Sequence, residues 1–216
     1  MKRPEASRIE PVAGAGALGM KLLVISLAVL FASAIASFWV VRGDVEGWTG
    51  VEEGFRVPLG VWAGTAALAL LSAAAERGAR LFDRGAADAG VTALKLAFGL
   101  AVLFLLAQAW NWQELIAAHL PPGAKSLYAF NFYLLTGLHA LHVIGGLVFH
   151  AVVLRRARRE RYGAAAHEGP RNLAVYWHFL SLTWLALLAT LLLGADPTLT
   201  AEGIVTGFTW VTGAAL

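Results

Sequence analysis

The 216-residue chain contains no cysteine. That excludes disulfides, thiolate-held metal and iron–sulfur centres, and haem attached through cysteine. Charge is scarce too. Asp, Glu, Lys and Arg make up 14% of the residues, against roughly a quarter in soluble domains. No polar stretch is long enough to fold as a separate soluble domain, and no phosphate loop or dinucleotide fingerprint is present. The net charge of +3 does not argue for a nucleic-acid partner. The basic residues sit in short loops between apolar runs, where they report topology.

Apolar sequence is what the chain has in quantity. It is 58% hydrophobic, with a mean hydropathy of +0.66. A bilayer core of about 30 Å needs roughly 20 apolar residues per helix, and five runs qualify: about 20–41, 57–75, 91–113, 128–154 and 173–194. The fold class is therefore an all-α integral membrane protein with five transmembrane helices. One domain spans 20–194, between an N-terminal segment, 1–19, and a tail, 195–216. The first run resembles a signal peptide at its basic start, but its apolar character continues to Val41, so it is read as a retained helix.

Lys and Arg set the expected orientation. Fourteen of the 17 fall on one side: Lys2, Arg3, Arg8 and Lys21; Arg77, Arg80, Arg84 and Lys95; Arg155, Arg156, Arg158, Arg159, Arg161 and Arg171. Only Arg42, Arg56 and Lys125 lie on the other. The positive-inside rule then places the N-terminus in the cytoplasm and the C-terminus outside. Trp39, Trp62, Trp110 and Trp112 fall near the outer ends, as an aromatic belt does. Glu76 and Glu114 are expected at helix ends, within reach of water.

The fourth run, "FYLLTGLHALHVIGGLVFH", carries His139, His142 and His150. Histidine at membrane depth needs a reason. At about 100° per residue, His142 lies about 60° from His139, and His150 returns to within about 20° of it. Phe132, Thr136, Val143 and Gly146 share the stripe. Small and hydrogen-bonding residues on one side suit a buried helix–helix contact. A haem reading competes. A membrane b-type haem takes one histidine from each of two helices, and a single haem, for example between His150 and His178 at similar depth, stays open. Two haems are excluded by supply, because the first three helices hold no histidine. No carboxylate or thiolate joins the stripe to make a metal site. Packing across a helix interface is the favoured reading, with His142 expected to bond to another helix.

"FYLLTGLHALHVIGGLVF" followed by "YWHFLSLTW" resembles subunit III of haem–copper terminal oxidases of the cytochrome c oxidase type. "LLSAAAERGARLFDRG" and "LAQAWNWQEL" extend the resemblance over about 22–194, in the short five-helix bacterial form. The matching positions are Glu114, Thr136, Gly137, His139, His142, Gly145, Tyr176, Trp177, His178 and Trp184, with Gly146 and His150 on the same stripe. The resemblance implies a non-catalytic subunit beside catalytic subunit I in a bacterial inner membrane. It implies no haem or metal in this chain, haem and copper in its partner subunits, and bound phospholipid. A related subunit III-like protein of nitric oxide reductase shares the motifs, and a single-haem cytochrome b anchor is the alternative of a different class. Leu27 stands where the family has a membrane-embedded glutamate, and Ser181 where an aspartate follows the "YWHF" motif. Both replacements favour scaffolding and lipid retention over proton handling.

Overall fold

The computed structural model describes residues 14–44, 59–117, 127–159 and 168–195. They form five helices: α1 (Ala15–Asp44), α2 (Leu59–Asp83), α3 (Ala87–Ala117), α4 (Leu127–Ala157) and α5 (Glu168–Ala195). All five are long and apolar enough to cross a membrane. The N-terminal segment to residue 13, the loops carrying Pro58, His119 and Arg161, and the tail from 196 lie outside the described residues.

The described helices outrun the apolar stretches that announce them, α2 at its C-terminal end. α2 continues from 75 to Asp83 because charged residues do not interrupt backbone hydrogen bonding, and Arg80 Nε meets Glu76 Oε1 at 2.7 Å one turn away. Glu76 is thus inside α2 and not at its end, which corrects the placement expected from hydropathy. α2 stops where Gly85 takes a φ of 76°. Its N–H donates to Phe82 O at 3.0 Å, and Ala86 N–H to Leu81 O at 2.9 Å. This pair of bonds closes a helix on a left-handed glycine. Elsewhere the charges suit the helix dipole: Arg155 and Arg156 sit in the last turn of α4, and Glu168 in the first turn of α5. Pro170 is tolerated in that first turn, where its missing N–H would have had no partner.

α2 and α3 form a tight antiparallel hairpin. A side chain on Gly90 would meet the Phe82 ring at 2.8 Å, and one on Gly78 would meet Leu94 at 2.9 Å. α5 is the central element, packed against α1, α2 and α4, while α3 links α2 to α4. α1 runs parallel to α5, since Gly16 lies beside Glu168 and Asn172 while Gly194 lies on Phe38. It buries only a narrow seam, Met20, Leu27, Phe31 and Phe38, spaced by seven, four and seven. Leu22, Ile25 and Val29 on the same helix are exposed, as are Leu103 and Leu106 on α3 and Leu141 and Val148 on α4. An outside of Leu, Val and Ile around a polar and aromatic inside is a lipid-facing bundle. The Asp83–Arg171 pair lies at the bundle end that also carries the last turn of α4, called here the basic end. Trp39, Trp62, Trp110 and Trp112 lie toward the opposite end.

Candidate functional site: polar contacts between helices

The stripe on α4 is buried as its period requires. Phe132, Thr136, His139, Val143, Gly146 and His150 are all buried, whereas Leu134 and Leu141 face outward. Against α3, Trp112 Nε1 donates to Thr136 Oγ1 at 3.1 Å, and Thr136 donates onward to Phe132 O at 2.6 Å. His139 is fully buried in an aromatic cage. Its ring centre lies 5.6 Å from Phe104 and 5.3 Å from Trp184, with Phe31 at 6.1 Å. Neither of its ring nitrogens has a hydrogen-bond partner in the structure.

Toward α5, the ring of Trp177 covers Gly146, and its Nε1 donates to His150 Nδ1 at 3.2 Å. Tyr176 OH donates to His142 O at 2.8 Å. Gly146 is tight because a side chain there would come within 2.6 Å of Tyr176 and 2.9 Å of Trp177. Gly137 and Gly145 meet no such crowding. The His142 ring does not reach another helix by hydrogen bond, contrary to expectation. Its Nδ1 bonds to Leu138 O of its own helix at 2.7 Å, and its ring meets the edge of Phe31 at 5.1 Å. Being some 60° off the stripe centre, it is only half-buried, so the carbonyl one turn back is its nearest partner. Glu114 also bonds locally, accepting from Trp110 Nε1 at 2.7 Å on the exposed side of α3.

The largest polar arrangement lies between α2 and α5, and most of it escaped the sequence reading. Contacts cross the antiparallel pair in register from one end to the other. Trp184 Nε1 donates to Thr65 Oγ1 at 2.9 Å, and Ser181 Oγ to Leu68 O at 3.2 Å. His178 Nδ1 pairs with Ser72 Oγ at 2.5 Å, and its Nε2 with Glu76 Oε2 at 3.3 Å. Arg171 closes the series on Asp83 at 3.0 Å. Ser72, His178 and Glu76 thus form one hydrogen-bonded series between the two helices. Thr65, Ser72 and Glu76 are spaced by seven and four, which puts them on one face of α2. That spacing was the available signal.

His150 and His178 are turned to different helices. Trp177, next to His178, faces α4, while the His178 ring lies about 100° further round α5 and engages α2 with both nitrogens. Among the described residues, no three of His, Cys, Asp and Glu gather as a metal site would require.

The family model for cytochrome c oxidase subunit III matches residues 8–194. The chain belongs to that family. Among curated relatives, the probable cytochrome c oxidase subunit 3 of Mycobacterium tuberculosis is 34% identical over 92 residues, 43% of this chain and 45% of the relative. That of Corynebacterium diphtheriae is 32% identical over 92 residues, 43% of this chain and 44% of the relative. The cytochrome c oxidase subunit 3 of Paracentrotus lividus is 37% identical over 103 residues, 48% of this chain and 38% of the relative. The matches thus span less than half the length of these relatives. Family membership and five spanning helices make this a multi-pass membrane protein.

Proposed function

We propose that the chain is a non-catalytic subunit of a respiratory haem–copper oxygen reductase of the cytochrome c oxidase type. It supports catalytic subunit I, retains phospholipid and steadies turnover in aerobic electron transport. Haem and copper reside in the partner subunits. The single observation that carries this reading is the family match across 8–194, and the polar motif positions support it. Tyr176, Trp177, His178 and Trp184 all spend their polar atoms on neighbouring helices. Side chains committed in that way hold a bundle together.

Lipid retention is supported by an open groove of about 340 Å³ at the basic end, lined by Phe98, Ala151, Leu154, Arg155, Arg158 and Arg159. Apolar walls suit an acyl chain, and each nearby cation attracts an anionic headgroup by about 1 kcal/mol. The basic end faces the cytoplasm of a bacterial inner membrane in this reading. A cysteine at exposed Arg159 is then expected to react with an impermeant maleimide only in inverted vesicles. Labelling in right-side-out vesicles would reverse the topology.

The function is tested by purifying the complex and the isolated chain from native membranes. The complex is expected to contain an oxidase subunit and a Soret band, and the isolated chain to show none. A stoichiometric haem on the isolated chain, lost in His178→Ala, would overturn the reading.

A further inference from the structure

The α2–α3 hairpin carries an open groove of about 700 Å³ on its outer side. Its floor is shallow in side chain: Ala74 and Ala93 are buried there, and Ala73 beside them is exposed. Leu70 and Leu96 form exposed walls. The groove begins at the basic end, where Leu81 of α2 and Ala89 of α3 line it, and it closes at Leu70 and Leu100. On either helix that is 11 steps along the chain (70 to 81, 89 to 100), or about 16 Å at 1.5 Å per residue. A bilayer core is about 30 Å thick. The groove is therefore about one leaflet deep.

One cation lines it. Arg77 lies one turn in from Leu81 and is exposed, and its guanidinium has no ion pair or hydrogen bond among the described residues. The carboxylates near it in sequence do not neutralise it. Glu76 is engaged by Arg80 and His178, and Asp83 by Arg171. Asp88, in the first turn of α3, forms no ion pair with it. An arginine stem lies readily along an apolar wall while its head reaches the interface, the layer in which lipid phosphates sit. We propose that the α2–α3 groove seats an anionic phospholipid, with one acyl chain over the alanine floor and the phosphate on Arg77. A transmembrane helix of a partner fits less well. It needs a face along the whole span, and this groove runs for about half of it.

This groove lies on a different face from the one beside Arg155, which α3 and α4 form. Its occupancy is read on the chain itself, so it can fail while the subunit reading stands. The full-length protein, in its native complex, is transferred to mixed vesicles of phosphatidylcholine and phosphatidylglycerol. A photo-reactive analogue of one or the other lipid is included, and the labelled peptides are mapped. The phosphatidylglycerol probe is expected to mark residues 70–81 and 89–100 more strongly than the phosphatidylcholine probe. Arg77→Gln is expected to lower phosphatidylglycerol labelling there by roughly 5-fold, the factor for one cation beside an anionic headgroup. Phosphatidylcholine labelling should not change with it, and Arg77→Lys should keep most of the preference. Ala73→Leu fills the groove from its exposed edge and should lower labelling by both probes. Equal labelling by the two probes, unmoved by Arg77→Gln, would mean ordinary boundary lipid and would overturn the site. So would a photo-crosslinking amino acid at Ala73 that captures a partner protein and no lipid.

Discussion

Trp177→Ala is expected to lower the stability of the bundle by about 3 kcal/mol, the lower end of the range for a buried tryptophan cut to alanine. Trp177 is fully buried between α4 and α5, with its ring on Gly146 and its indole N–H on His150. The substitution removes that ring's dispersion contacts and leaves His150 Nδ1 without its donor. In a bilayer the water-transfer part of the loss is small, because lipid is as apolar as the core. The cavity and the orphaned nitrogen remain. The check is thermal unfolding in mild detergent, with Leu141→Ala on the lipid-facing side of α4 as the control, since Leu141 is 62% exposed. The control should move stability by less than about 0.5 kcal/mol. If both variants melt alike, Trp177 does not hold α4 to α5.

Gly194→Val is expected to loosen α1 at the end away from the basic residues. A Cβ on Gly194 would overlap the ring of Phe38, and that ring is fully buried, so it has no room to swing aside. Forcing extra atoms into such a contact costs about 1–3 kcal/mol. Because α1 rests mainly on α5, the strain is relieved by separation of the two helices, not by rearrangement of the whole bundle. Protease accessibility of α1 should rise, and the double variant Phe38→Ala with Gly194→Val should restore part of the protection. A single variant as resistant as the parent would show that the contact is soft.

The number of helices was legible because runs of about 20 apolar residues leave few other options. The ends were not legible from hydropathy. Backbone hydrogen bonding passes straight through Glu76 and Arg80, and only the left-handed Gly85 stops α2. On α4 the helical period correctly picked Thr136, His139, Gly146 and His150 as buried, because burial follows angle around a helix. The same period explains why His142, displaced from the centre of the stripe, turned to its own backbone. The α2–α5 series stayed hidden for a different reason. Thr65, Ser72 and Glu76 form a polar face within a single helix, but a polar face does not name the helix it meets. That choice is made by the tertiary packing of α5 between α1 and α2.

The seat of α1 on α5 also fixes an order of events during synthesis. The ribosome completes α1 at Asp44 and α5 only at Ala195, about 150 residues later. At bacterial rates of roughly 5–20 residues per second, the gap is roughly 8–30 s. For that interval the seam of Met20, Leu27, Phe31 and Phe38 has no α5 to pack on, while α2 and α3 close their hairpin early. Of the five described helices, α1 is therefore made before the others yet is among the last to be locked in place. An insertase that holds α1 until α5 emerges would raise the yield of this protein, whereas one that releases each helix as it enters would leave α1 adrift in the bilayer.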